Sequence, residues 1–279
     1  MTIAIETTEW QPAPAPTKKP FVAIGDIHGC AHLLSALRAR LDAEAPHRRI
    51  YLGDYVDPSP EHVENHDVGA VLDQIADDLD RGAVILAGNH ELMMLASMRH
   101  VVEDSKRYPV EQSSVWLASN RGGSTLDAFG VPRLIDFKDR MRILNERISD
   151  RQHRVFSSLR FAYEIDEYLF VHAGFYAEPS WREQIEAEDW FSVPMPDRRG
   201  YRPHPMWSCL EGDEGPSGYV QVNGHTIVRE PFVGARRIAI DTGAVLGGPL
   251  TAAEIVGDRL RFHHACPAGV TMAKWKRRE

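Results

Sequence analysis

AIGDIHGC, residues 23–30, runs out of an apolar segment into an acid, a histidine and two glycines. With Phe21 and Val22 ahead of it, the segment reads as a short buried strand that ends near Gly25. Asp26 and His28 are two residues apart, a spacing that turns both side chains the same way on an extended backbone. Gly25 and Gly29 let the chain turn sharply and approach a ligand closely. Alone, such a cluster is no more than a decorated turn or a helix N-cap.

The arrangement recurs along the chain. RIYLGDYVD (49–57) ends an apolar run at Asp54 and then offers Asp57, and VILAGNHE (84–91) ends one at Asn89 and His90. YLFVHAG (168–174) ends at His172, and YVQVNGH (219–225) at His225. Helical stripes separate the first three runs: Leu33, Leu34, Leu37 and Leu41, then VGAVLDQIADDL (68–79). This alternation predicts βαβ units and a parallel sheet. Residues 91–161 predict a helical insertion, broken at SNRGGST (119–125). Strands are expected from 168 onward, closing in a hairpin within 250–262, with long loops and a short helix across 175–218. The Pro/Ala-rich QPAPAPTKKP (11–20) predicts a disordered leader over 1–20, a domain over 21–265 and a basic tail over 266–279.

Strand carboxyl ends share one edge of an α/β sheet, and ligands bind in the crevice there. Five runs in this register bring together Asp26, His28, Asp54, Asn89, His172 and His225. Imidazoles, carboxylates and an amide oxygen without thiolate suit Mn, Fe or Zn. Six ligands exceed the need of one catalytic ion, but suit two ions about 3.5–4 Å apart that share a carboxylate.

A formal net charge of −8 argues against a sequence-independent nucleic-acid binder, which needs a basic surface, and no nucleic-acid partner is expected. It leaves room for a phosphorylated substrate, because bound cations reverse the local field. Three dispersed cysteines, Cys30, Cys209 and Cys266, read as free thiols. With no membrane-length apolar run and no signal-like start, a cytoplasmic protein is expected, and no membrane partner.

In order, GDIHG (25–29), GDYVD (53–57), GNHE (88–91), HAG (172–174) and GHT (224–226) resemble the phosphoprotein phosphatase branch of the metallophosphoesterases. IDTGAVLGGPLTA (240–252) is similar to that family's closing strands, and WLASNRGGSTLDAFG (116–130) to a segment common in its bacterial members. The resemblance implies a calcineurin-like α/β fold of two packed mixed sheets flanked by helices, with the metals at the sheet edge. It also implies that Asp26 and His28 hold one ion, Asn89 and His172 the other, and Asp54 bridges them. His225 can join either ion; the family's usual arrangement places it with Asn89 and His172, and that version is preferred. By the same resemblance His90 protonates the leaving oxygen and Asp57 orients its imidazole.

One departure concerns the substrate. The family usually continues GDxVDRG, its Arg binding phosphate, whereas here Pro58 follows Asp57. A second family Arg, after a Trp in the loop before GHT, has Cys209 near its place. Arg121, Arg182 and Arg199 are the candidate replacements, since guanidinium suits phosphate better than ammonium does. The expected activity is hydrolysis of phosphate monoesters, foremost of serine/threonine phosphoproteins. The alternatives are a dinucleoside polyphosphate or nucleotide hydrolase and a metal-binding regulator without turnover.

Overall fold

Phe21, Val22, Ala23 and Ile24 are all fully buried, and they divide by parity between two cores. In the computed structural model, which describes residues 3–62, 66–102, 110–187, 204–207, 209–210 and 212–277, Phe21 and Ala23 face a second sheet while Val22 and Ile24 face helices. A strand covered on both faces needs a continuous apolar run rather than alternation, and this one has it.

The first sheet has the order β1-β10-β2-β3-β4, formed by Ala4–Thr7, Leu250–Cys266, Gln11–Ile24, Arg48–Tyr51 and Val84–Ile85. Within it β2, β3 and β4 are parallel, and β10 runs antiparallel to β2 and β1. The second sheet has the order β5-β6-β7-β9-β8, from Ala162–Ile165, Tyr168–Val171, Val220–Asn223, Arg237–Ala239 and Phe232–Val233. Its β6, β7 and β9 are parallel. Phe21 joins the sheets through edge-on contacts with Tyr168 and Phe170, ring centroids 5.1 and 4.9 Å away. Helices α1 (Ala31–Glu44) and α2 (Val68–Asp80) cover the other face of the first sheet. The insertion supplies α3 (Asn89–Val102), α4 (Val110–Ser119), α5 (Gly122–Ala128), α6 (Phe137–Arg147) and α7 (Asp150–Ser157). A shorter helix, α8 (Trp181–Ala187), follows β6, and α9 (Met272–Trp275) follows β10. Among the described residues no helix is long and apolar enough to cross a membrane.

Three expectations need correction. Residues 4–7 and 11–20 are not a disordered leader; they are β1 and the first part of β2, paired with β10. Proline fixes a φ that extended chain already adopts, so a run of alternating prolines can extend β2 ahead of Phe21, where it is paired with β10 but not with β3. What the prolines take from the ladder, side chains return: the Tyr168 hydroxyl bonds the Ala15 N–H and C=O at 3.3 and 2.5 Å, and Asp166 accepts from Thr17 and Lys18. In place of a terminal hairpin, β10 is one 17-residue strand, with register shifts on either side of Gly257. The basic tail is anchored by α9, where Trp275 is 1% exposed beneath the Arg229 guanidinium.

Asp78 ties α2 to α1 and β3. Its buried carboxylate accepts from Arg38 (3.1 and 2.7 Å), Arg49 (2.6 Å) and the Tyr51 hydroxyl (2.5 Å). Burial alone would raise its pKa, but these partners, Arg38 first, hold it below the usual carboxylate range. A depressed pKa contributes stability above the ordinary carboxylate value of about 4, lost as pH falls through the folded one. Asp78→Ala removes the buried carboxylate that Arg38 and Arg49 share, leaving among the described residues only the Asp42 carboxylate to Arg49 and only that of Asp77, at 3.9 Å, to Arg38, and should destabilise the protein by about 3–5 kcal/mol. Urea unfolding at neutral pH checks this, and a midpoint equal to wild type would refute it.

Candidate dinuclear metal centre

Each parallel strand end delivers one cluster to the site. Asp26 and His28 follow β2, Asp54 and Asp57 follow β3, and Asn89 and His90 open α3 just after β4. His172 follows β6 and His225 follows β7. Asp26 and His28 do not share an extended backbone, as the spacing suggests; His28 has φ 45°, and a turn brings it round. Asp54 (φ 53°), Asp57 (φ 60°) and His225 (φ 64°) are also left-handed. Such conformations in non-glycine residues cost about 1–3 kcal/mol each and need a surrounding that enforces them. Ile27 and His28 N–H both donate to Asp54 O, at 3.0 and 2.8 Å. The fully buried Glu91 accepts from the N–H of Asp54 (2.9 Å), Tyr55 (2.8 Å), Val56 (3.2 Å) and Gly88 (3.0 Å), caging the loop.

Asp54 Oδ2 is the hub. It lies 3.5 Å from His28 Nε2, 3.4 Å from His172 Nε2 and 3.9 Å from His90 Nε2. Around His172, Asn89 Oδ1 is 2.9 Å from Nε2, and His225 Nδ1 lies 3.1 Å from that oxygen and 3.2 Å from Nε2. His225 therefore sits with Asn89 and His172, while its backbone N–H donates to Asp26 Oδ2 at 2.9 Å. His28 Nδ1 donates to Val56 O at 2.8 Å and His172 Nδ1 to Leu52 O at 2.9 Å, so both rings turn Nε2 to the cluster.

These residues fit cations. Burial pushes the His28 and His225 imidazoles down to about 3, leaving them in the neutral form a metal needs. Burial opposes charge on His172 too, yet Asp54 beside it, then Asp26, lift it to about 10, so the carboxylates draw positive charge to this spot. Asp26 Oδ1 is buried with no hydrogen-bond partner among the described residues. Two groups of donor atoms, each within 4.8 Å of one another, share Asp54: His28–Asp54–His90 and Asp54–His172–His225.

The geometric grouping includes His90, which the sequence reading makes a proton donor. Its Nδ1 donates to Asp57 Oδ2 at 2.7 Å. Burial works against its charged form, but Asp54 and the Asp57 bond prevail and raise its pKa. An imidazole held so is an acid with its second nitrogen free.

Of the candidate arginines, Arg121 is at the site: its Nε lies 3.4 Å from Asp57 O, and its charge is among those that depress His28. Arg182 is occupied elsewhere, paired with Glu164 at 2.9 Å and stacked 4.1 Å above Trp181. Arg199 lies outside the described residues. Sequence reasoning missed three residues. Trp116 and Thr125 bond Asp57, and Asp241 is a further buried carboxylate whose charge adds to burial in raising the pKa of Asp26. Each falls in a segment already noticed for its resemblance, 116–130 or 240–252, but spacing alone gave it no role.

The sequence pattern of the calcineurin-like phosphoesterases matches residues 19–237. An asymmetrical bis(5'-nucleosyl)-tetraphosphatase, PrpE, from Halalkalibacterium halodurans is 26% identical, the match covering 83% of this chain and 88% of the relative. Among solved structures, a putative diadenosine tetraphosphatase superposes with TM-score 0.50 at 19% identity, over 91% of this chain and 97% of its own. A cold-active protein-tyrosine phosphatase from a psychrophilic Shewanella species does so with TM-score 0.51 at 18% identity, over 87% and 77%. At such identities the structural likeness is one of fold.

Gly224 tests how Asp26 is held. A Cβ there would lie 1.9 Å from Asp26 Oδ1, and Gly224 is not left-handed, so alanine strains the site and not the turn. Gly224→Ala should keep the fold while lowering bound divalent metal by about one ion per chain. Elemental analysis after manganese loading measures this; full metal content would show that Asp26 is not held there for an ion.

Proposed function

The chain belongs to the calcineurin-like phosphoesterases, metal-dependent phosphoric ester hydrolases, and from that premise we propose that it hydrolyses phosphate monoesters with poor leaving groups. Asp26, His28 and Asp54 would hold one divalent ion and Asp54, Asn89, His172 and His225 the other, with manganese or iron the best match to nitrogen and oxygen donors. Bound there, the two ions supply a water of lowered pKa and positive charge for the phosphoryl oxygens.

The observation that carries the reading is the 2.7 Å bond from His90 Nδ1 to Asp57, beside the Asp54 hub. Asp57 fixes the tautomer and supports positive charge on the ring, so His90 Nε2 holds the proton that the leaving oxygen takes. A serine or threonine alkoxide cannot depart without that proton, whereas a nucleotide leaves as a phosphate anion that needs it far less. The dyad therefore supports phosphoproteins as substrates. The second reading, a dinucleoside polyphosphate hydrolase, is supported by the tetraphosphatase named above. A regulator without turnover would leave the His90–Asp57 pair without a task.

Arg121 takes the part of the phosphate clamp absent at Pro58. Its carbonyl contact at 3.4 Å is a weak tether, leaving the guanidinium able to meet a phosphate.

With manganese added, kcat/KM on a phosphothreonine peptide should exceed that on diadenosine tetraphosphate; the reverse order installs the nucleotide reading. His90→Asn should lower turnover of the peptide by about 10²–10⁴-fold, and unchanged turnover would falsify the proton-donor role. Arg121→Ala should raise KM for the preferred substrate by about 10-fold with lysine restoring part of the loss, and an unmoved KM removes Arg121 from the site.

A further inference from the structure

The helical insertion reaches the reaction site at Asp57. Trp116, on α4, donates its indole Nε1–H to Asp57 Oδ2 at 2.7 Å, the oxygen that also accepts from His90 Nδ1. Thr125, on α5, closes the other side, its hydroxyl donating to Asp57 Oδ1 at 2.5 Å and accepting from Asp57 N–H at 2.8 Å. Asp57, Trp116 and Thr125 are all fully buried. Gly122 lies so close to the indole that a Cβ would come within 2.6 Å of it, which seats the start of α5 against Trp116.

Two features of this grip are chemical rather than structural. Both side-chain donors are neutral, and the nearby guanidinium of Arg121 meets Asp57 at its carbonyl rather than its carboxylate, so the carboxylate charge acts on His90 instead of being cancelled. The grip also fixes a side chain on a left-handed residue, φ 60°, whose backbone has little intrinsic preference for that place.

We propose that Trp116 and Thr125 are positioning residues for the proton donor, holding Asp57 in the rotamer that binds His90 Nδ1 and keeps the transferable proton on Nε2. The inference rests on the proton-donor reading of His90 given above. It makes the insertion part of the catalytic machinery, although neither residue touches substrate.

Trp116→Phe keeps the ring and removes the donor; Thr125→Val keeps the shape and removes the hydroxyl. Each is assayed with manganese on phenyl phosphate, whose leaving group needs a proton, and on p-nitrophenyl phosphate, whose leaving group does not. On phenyl phosphate kcat should fall about 10–100-fold, the usual effect of removing a supporting hydrogen bond. On p-nitrophenyl phosphate it should change by less than about 3-fold, because general acid catalysis has little to add there. Thr125→Ser should restore wild-type behaviour. Metal content and Tm should stay near wild type, and the downfield imidazole N–H resonance that His90→Asn abolishes should shift in both variants. In a His90→Asn background neither substitution should alter the substrate ratio further. Equal losses on both substrates, or ratios unchanged while His90→Asn itself discriminates, overturn the inference. A His90→Asn variant that does not discriminate overturns the proton-donor reading, and the inference falls with it. Thr125→Val decides alone if Trp116→Phe does not fold.

Discussion

A single buried carboxylate, Asp54, sets the constraint that the rest of the molecule answers. Three imidazoles approach one of its oxygens within 3.9 Å, and it sits at the end of a central strand with a left-handed backbone. Burying a negative charge there is expensive unless positive charge meets it. His90, at the start of α3, and His172, after β6, have raised pKa values and bring that charge, while Asp26, His28, Asn89 and His225 complete a donor set that suits cations. Packing of Phe21 against Tyr168 and Phe170 joins the two sheets, so the hydrophobic core and the polar site register each other.

The loop bearing Asp54 would not hold its shape unaided. Glu91 satisfies four backbone N–H groups from two strand ends, locking the GDYVD turn to the start of α3. The Glu of GNHE is thereby a scaffold for the Asp of GDYVD. Asp57, three residues on, receives a second clamp from the insertion through Trp116 and Thr125. Fixed donors of this kind let a site act without reorganising around each substrate, which is the larger part of electrostatic catalysis.

Proline, not arginine, follows Asp57 in this chain. Pro58 is buried there, and a Cβ on Gly29 would lie 3.0 Å from its side chain, so the position serves packing rather than phosphate binding. Arg121 stands at the site from a different direction, on a segment that already grips Asp57. Arg121, Trp116 and Thr125, all on the same insertion, therefore meet at Asp57.

The sequence alone determined the strand–helix alternation and the cluster residues at the strand ends, because burial periodicity and motif order are local properties, whereas the two-sheet architecture was implied only by the family resemblance. The sequence misled at the prolines of 11–20 and at the chain end, since the outer part of β2 pairs with β10 more than two hundred residues away and Trp275 packs beneath Arg229, contacts that local pattern does not reveal. Only the tertiary structure decided that His225 sits with Asn89 and His172, that Arg182 is committed to Glu164, and that Trp116 and Thr125 hold Asp57. The reason is physical: residue type says what a side chain is able to bond, whereas the choice among partners depends on which surfaces the folded chain brings within 3 Å or so of one another.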